Sequence, residues 1–451
     1  MPFNKKITSL ALCIASLLHV PAFAAVAEEQ AAQLGKNLTP LGAEHAANAD
    51  GSIPAWDGGL DKPLPASDPR LPGKLFSDEK PKLSLTVANA AQYAGKLSEG
   101  SLYMLKNYPG YRMDVYPTHR TARAPQYIYD RTRQNATGME VLDYILDFSK
   151  FHGGTPFPIP QNGQQAILNN QWNWRGADNT LDAYTWFVSS SGKRAMTAGN
   201  TLQNSFPWAY APGRKDPWDG KLLGAVIITS TAPAYSAGEK LLIHGPADNV
   251  HQATNAWSYL TGQRRLRKAP NVQYDVPNNF TSGVINFDDA NGFNGAIDRY
   301  DWKLVGKQEL YVPYNNNDLA YAKSEDVVGE KFANPDLLRW ELHRVWVVDA
   351  TLRSGARHVV PKRRFYLDED TWQVLVTDQW DAKGQLWKTH NLTMFVYPQI
   401  PVAYNASTFV YNLQARDYAA LNLINDKGAV KFDELPNSMF TPQSLERSGV
   451  R

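Results

Sequence analysis

LRWELHRVWVVDATLRSGARHVVPKRRFYLDEDTWQ, residues 338–373, is the stretch from which the fold is read. In its first part Trp340, Leu342, Trp346, Val348 and Leu352 fall on one side of a period of two, while Arg339, Glu341, His343, Asp349 and Thr351 fall on the other. Side chains alternate across an extended chain, so the spacing predicts a strand over 339–352. Arg344 breaks the apolar side. Further on, the turn Asp381-Ala382-Lys383-Gly384 joins two more strands, and a two-residue loop puts Trp380 near Gln385. In that register Trp372, Val374, Val376, Asp378 and Trp380 share a face with Trp387, Thr389, Asn391, Thr393 and Phe395. A dry sandwich interior is more uniformly aliphatic. A face mixing Trp with Thr and Asn fits a sheet lining a cavity, and equally a sheet with one wet face.

The same period extends toward the N-terminus. Tyr300, Trp302 and Leu304 alternate with Asp301 and Lys303; Trp257–Leu260 and Arg264–Lys268 flank the turn Thr261-Gly262; Leu222–Thr231 and Lys240–His244 flank Pro233–Gly238; Tyr184, Trp186 and Val188 alternate before Ser191-Gly192. Strands that follow one another without helices between them pair antiparallel, which predicts one large antiparallel sheet over 184–400. Residues 84–183 read as mainly helical, with helices from about Ser84, over Met139–Phe151 and over Gln164–Trp174, the first ending at Gly100 or Gly110. Residues 25–83 are punctuated by Pro and Gly, and Trp56, Leu60, Leu71 and Phe76 suit an extended segment that packs on the core. Residues 401–451 read as irregular or helical.

The chain of 451 residues is 43% apolar and 20% charged, which is globular rather than disordered. Lys5 and Lys6, the apolar run Ile7–Val20 and Ala22-Phe23-Ala24 read as a secretory signal over 1–24, cleaved near Ala24. Its removal balances basic against acidic residues, which argues against a nucleic-acid partner. Cys13 leaves with it, and with it go disulfides, Cys-ligated metals and Cys nucleophiles. Leu12 stands where a lipidation signal needs a small residue. No later apolar run approaches the roughly 20 residues that span a bilayer, so the mature product reads as periplasmic.

The quoted stretch closely resembles the hallmark of a bacterial family known as domain of unknown function 1329 (DUF1329). Leu38–Leu60 (LTPLGAEHAANADGSIPAWDGGL), Arg112–Ala122 (RMDVYPTHRTA) and Phe293–Asn315 (FNGAIDRYDWKLVGKQELYVPYN) agree with it. Trp257–Pro270 and Phe365–Thr389 also resemble pieces of the periplasmic lipoprotein carriers LolA and LolB. The resemblance implies an α+β, mainly β fold: one curved antiparallel sheet, an incomplete barrel, covered by helices. It further implies work on lipids or other hydrophobic molecules, beside RND-type exporters and outer-membrane β-barrel proteins. It brings no catalytic residues.

Each exposed methylene of an apolar cargo costs about 0.8 kcal/mol relative to burial, so a carrier needs a shielded wall. Trp340, Trp346, Trp372, Trp380 and Trp387 are the candidates for that wall, with Trp186, Trp257 and Trp302 behind them; the competing reading is that they fill a core between sheet and helices. Arg344 and Asp378 need partners if buried: either each other, or a ligand headgroup for Arg344. Arg264, Arg265, Arg267 and Lys268 suit an anionic headgroup or an acidic partner, or simply an exposed strand face; Lys362, Arg363 and Arg364 form a second cluster. Asp288, Asp289, Asp298 and Asp301 are oxygen-rich but lack calcium-loop spacing, so no metal and no cofactor is expected. No nucleophile elbow, zinc helix or phosphate loop occurs, although carboxylates among Asp301, Glu309 and Glu341 could in principle converge as acid and base. The expectation is a carrier, with an enzyme of hydrophobic compounds or a ligand-free accessory protein as alternatives.

Overall fold

The computed structural model describes residues 26–449 apart from 67, 69, 70, 264, 270–272 and 427; the expected signal over 1–24 lies outside the described residues. In chain order the strands are β1 (Leu83–Leu85), β2 (Met113–Val115), β3 (Val141–Leu142), β4 (Ile145–Leu146), β5 (Asp178–Val188), β6 (Arg194–Ser205), β7 (Leu222–Ala232), β8 (Lys240–Pro246) and β9 (Asn255–Leu260). They continue as β10 (Arg265–Lys268), β11 (Tyr300–Pro313), β12 (Trp340–Leu352), β13 (Lys362–Asp368), β14 (Val374–Trp380), β15 (Leu386–Tyr397), β16 (Val402–Asn412), β17 (Asp417–Leu423) and β18 (Ala429–Lys431).

Strands β5–β10 form one antiparallel meander and β11–β17 a second. They join where β17 pairs β5, Ala419 opposite Phe187 and Ala420 opposite Trp186. β10 and β11, the free ends of the two meanders, do not pair, so the sheet stays open. β2 touches β12 through one parallel bridge, Val115 to Trp340. Bulges at Thr185/Trp186, Leu304/Gly306, Gln379/Trp380 and Leu392/Met394 bend the strands and increase their twist. This is the mainly β, open antiparallel sheet that the period-two pattern predicts. In the β14–β15 hairpin Asp378 faces Thr389 and Val376 faces Asn391, two residues beyond the register that Trp380 opposite Gln385 implies. The loop closed by Asp381 N to Gln385 O is longer than two residues and Trp380 meets Leu386, while the even shift keeps the expected side chains on one face.

The sheet also runs past residue 400, where irregular or helical chain is expected. Val402, Ala403, Tyr404, Phe409, Val410 and Tyr411 of β16 are buried on both faces, which erases the alternation that marks a half-exposed strand. A second correction falls on Met139–Phe151, expected to be helical. Asp143 and Tyr144 adopt φ of 47° and 68°, so the chain reverses in a two-residue turn and Val141 pairs Leu146 in the hairpin β3–β4.

The helices are short: α1 (Glu28–Ala31), α2 (Glu99–Asn107), α3 (Gln126–Asn135), α4 (Gly163–Gln171), α5 (Ser324–Val327) and α6 (Pro442–Gly449). Ser84, read as a helix start, lies in β1; a 3-10 turn occupies Ala90–Lys96 and α2 follows, capped by the Ser98 hydroxyl, which accepts from Ser101 N at 3.0 Å. Gly100 thus opens a helix instead of ending one. Its amide donates to Asp378 Oδ2 at 3.1 Å, and a Cβ there would collide with Thr389 and Asp378. α4 begins at Asn162, whose side chain accepts from Gln165 N, and agrees with the predicted third helix.

Both faces of the central strands are covered. Leu342, Val348, Phe365 and Val374 join the main core with Ile167 and Leu168 of α4, while Val345, Val347, Tyr366 and Val376 form a second cluster. Burial there pushes the Asp378 carboxyl up to about 6. A carboxyl with a raised folded value contributes stability that is fully present below its unfolded value, near 3.8, and is lost as pH rises through about 6. Asp378→Asn removes this dependence. Between about pH 4 and pH 8 the variant should gain on the order of 2–3 kcal/mol relative to the parent, read from urea midpoints; parallel pH profiles for the two proteins would refute the assignment.

Candidate functional site

A cavity of about 290 Å³ lies between the sheet and the segment 273–296. Its wall comes from the junction of the two meanders: Leu181 of β5, Leu202 of β6, Val226 and Ile228 of β7, Ile243 of β8 and Leu421 of β17. The register explains the convergence. Leu181 faces Leu202, Leu202 faces Ile228, and Val226 faces Ile243, so alternate residues of four neighbouring strands point the same way. Intervening residues point to the opposite face, where Ala225, Ile227 and Leu242 pack against Leu435, Phe440 and Leu445 near α6.

The segment 273–296 closes the cavity as a strap, presenting Phe280, Ile285 and Phe287. It is tethered along its length. Thr197 Oγ1 donates to Phe280 O at 2.7 Å, Lys388 Nζ donates to Val284 O, and Asn170 Nδ2 donates to Phe293 O at 3.0 Å. Its strongest fastening is ionic. Arg363 of β13, fully buried, donates through Nη2 to Asp288 Oδ2 at 2.9 Å and lies 3.5 Å from Asp289 Oδ1 through Nη1. His358 Nε2 is 3.0 Å from Asp288 Oδ2, and Gln379 Nε2 donates to Asp289 Oδ1 at 2.7 Å. Burial alone would raise the Asp289 carboxyl, but Arg363, His390 and Lys388 hold it down at about 2. Burial beside these cations pushes the His390 imidazole down to about 4.

Arg175, four residues beyond α4, lines the cavity and is 8% exposed. Its Nε donates to Asn173 Oδ1 at 3.0 Å and its Nη2 to Asn170 O at 2.6 Å, and the guanidinium lies 5.7 Å from the Phe206 ring. No carboxylate among the described residues pairs with it. Burial pushes it down to about 10, so it stays charged at neutral pH.

The tryptophans singled out in the sequence do not line this cavity; they pack the interior. Trp340 and Trp372 are almost wholly buried, and Trp372 stacks on Trp346 at 5.9 Å while its Nε1 donates to Leu41 O at 2.8 Å. Trp380 lies under Lys362 and half-buried Trp387 under Lys388. Trp302 packs on Phe365, Trp257 on His244, and Trp186 is partly buried against the main core. The physical reason is that both faces of β12–β15 are covered, so an aromatic face there meets protein. Arg344 and Asp378 do not serve each other. Arg344 Nε donates to Glu369 Oε1 at 2.6 Å, and Asp378 accepts from Ser98, Gly100 and Thr389.

Arg265, Arg267 and Lys268 are exposed along β10, an edge strand that among the described residues pairs only with β9, where charge discourages further strand pairing. Arg264 lies outside the described residues. The oxygen-rich acids separate: Asp288 and Asp289 meet Arg363, Asp298 meets Tyr274 and Asp301 meets Arg353. Glu309 pairs with Lys96, and Glu341 with Arg339 and His343, so Asp301, Glu309 and Glu341 do not converge. His343, Asp368 and Asp370 offer ligand atoms within 4.8 Å of one another, the one such group among the described residues. Arg120 already donates to both oxygens of Asp370, and Tyr314 and Thr371 donate to Asp368 Oδ2. Burial and Asp370 push the Asp368 carboxyl up to about 7, as suits a group held by neutral donors.

The cavity wall, the strap and Arg175 are what the sequence reading missed. The available signal was Asn278–Ala296, rich in Asn and Gly yet carrying Phe280, Ile285 and Phe287.

An uncharacterized protein of Pseudomonas aeruginosa is 38% identical over 445 residues, 97% of each chain. Among solved structures, a DUF1329 family protein from Desulfovibrio piger is 15% identical with a TM-score of 0.40, over 60% of this chain and 92% of its own. A putative outer membrane lipoprotein-sorting protein domain from Vibrio parahaemolyticus gives the same four values. A LolA superfamily protein from Nitrosomonas europaea is 11% identical with a TM-score of 0.36, over 62% of this chain and 98% of its own. Residues 84–446 match the family described as "Protein of unknown function (DUF1329)", and the chain belongs to that family.

Proposed function

We propose that the chain is a periplasmic carrier for a hydrophobic molecule, which it holds between the junction of the two meanders and the strap. The observation that carries this reading is the cavity itself, apolar along Leu202, Val226, Ile228 and Ile243 and closed by a segment fastened at several points. Burying a chain of about twelve methylenes would gain roughly 10 kcal/mol before the costs of ordering, enough to keep it from water. In this reading the chain binds and does not catalyse, and it passes its cargo between an RND-type exporter and an outer-membrane β-barrel protein. No helix among the described residues is long and apolar enough to cross a membrane.

Protein purified from periplasm should carry close to one apolar molecule per chain in native mass spectrometry. Leu202→Trp combined with Ile228→Trp fills the cavity and should lower that occupancy at least tenfold while the chain stays folded. Parent protein that emerges empty and binds neither lipid nor a hydrophobic dye would sink the proposal.

A further inference from the structure

Five arginines are buried among the described residues, and four of them meet carboxylates: Arg120 with Asp370, Arg339 with Glu341, Arg344 with Glu369 and Arg363 with Asp288. A buried guanidinium without an acid is expensive, because desolvation is not offset by an opposite charge. Arg175 is the fifth. Its hydrogen bonds go to one amide oxygen and one backbone carbonyl, and Nη1 makes none with any described residue. The acids that reach the cavity, Asp288 and Asp289, are already engaged by Arg363, His358 and Gln379.

The surroundings of Arg175 are as informative as its charge. The cavity, apolar along β6–β8 and polar where Asn200, Asn204, Asn294 and Asp289 line it, adjoins an annex of about 10 Å³, and Arg175, Asn291, Tyr404 and Asn405 line both spaces. The remaining annex walls are amide side chains, with no carboxylate. Asn405 Oδ1 is buried there without a donor, although the Nδ2 of the same amide is fixed on Val374 O at 3.0 Å. One small polar group fits such a space, since a water-sized group needs about 10–15 Å³. The same scale gives the main cavity room for on the order of twenty non-hydrogen atoms, which is one hydrocarbon chain and not several.

We infer that the cargo is a single-chain amphiphile whose anionic headgroup, a carboxylate or a phosphate monoester, sits on Arg175 while its chain lies along the wall of β5–β8. This rests on the carrier reading above and names its ligand class. Guanidinium matches either headgroup with short charge-assisted hydrogen bonds. The P–OH of a singly protonated phosphate monoester would also donate to Asn405 Oδ1, whereas a carboxylate, an acceptor only, would leave that oxygen to a water.

The test uses the full chain and a fluorescent long-chain fatty acid beside its methyl ester. The acid should bind at least about tenfold more tightly than the ester. Arg175→Met should bring the acid down to the affinity of the ester and leave the ester unchanged, and Arg175→Lys should restore part of the difference. Competition by dodecanoate against dodecyl phosphate then names the headgroup. Equal affinity of acid and ester for the parent protein overturns the inference and leaves the carrier reading standing; that comparison does not depend on any variant folding. If neither probe binds, the carrier reading falls and takes the inference with it.

Discussion

Arg363→Met is expected to cost about 3–5 kcal/mol of folding stability, the range for removing one partner of a buried ion pair. The loss does not come from the missing attraction alone. Asp288 and Asp289 are as buried as Arg363, and without it two carboxylates face the interior with no guanidinium, beside His358, the Gln379 and Asn286 amides and the more distant Lys388 and His390. Because Arg363 holds Asp289 near 2, that carboxylate contributes stability above its unfolded value of 3.8 and loses it as pH falls through about 2. The variant should lack this reserve. Guanidinium denaturation gives the size of the effect, and amide exchange over 284–295 should quicken as the strap loosens. Adding Asp288→Asn and Asp289→Asn to Arg363→Met should recover part of the loss; a single variant within 1 kcal/mol of the parent would contradict the pairing.

Trp372→Ala is expected to cost a similar amount, about 3–5 kcal/mol, as for large aromatic truncations in cores. Trp372 closes the β13–β14 turn at a φ of 63°, in the left-handed region that suits glycine. The substitution keeps that backbone demand and removes what offsets it: the stack on Trp346 and the bond to Leu41 O. Leu41 belongs to the N-terminal segment, which Arg344 also grips through Glu44 O and Ala46 O. Limited proteolysis should therefore cut sooner within 41–60. On the carrier reading, bound cargo should be unaffected in the folded protein, since Trp372 is not among the residues that line the cavity. A stable variant that has lost its cargo would return Trp372 to the binding wall.

The part of the fold that sequence makes legible is the part where one face of a strand differs from the other. The shared face of β14 and β15 followed from one turn, although their register is shifted by two residues, and Leu222–Thr231 and Lys240–His244 followed from an apolar run and a break. β16 escaped because it is buried on both sides, and the β3–β4 hairpin because its turn puts Tyr144, a residue with no turn preference, at positive φ. The candidate site was harder to read for a related reason. Lys362, Arg363 and Arg364 are neighbours of one type, yet one covers Trp380, one is fully buried on Asp288 and one pairs with Asp349. What separates them is which face of β13 each occupies and what packs there. Arg175 gives no local signal at all: what marks it is the lack of an acid in three dimensions.

The pairing of β5 with β17 gives the cavity a history as well as a shape. Val188 meets Tyr418, so the two sides of the wall are brought together across a sequence separation of about 230 residues, and closing so long a loop is slow relative to forming either meander. A chain still emerging during synthesis can hold β5–β8 and even the strap, yet it offers no finished cavity until residue 423 has arrived. If the protein is the proposed carrier, loading is thereby confined to the completed chain, and a truncation anywhere before β17 should yield a chain that folds in part and retains nothing.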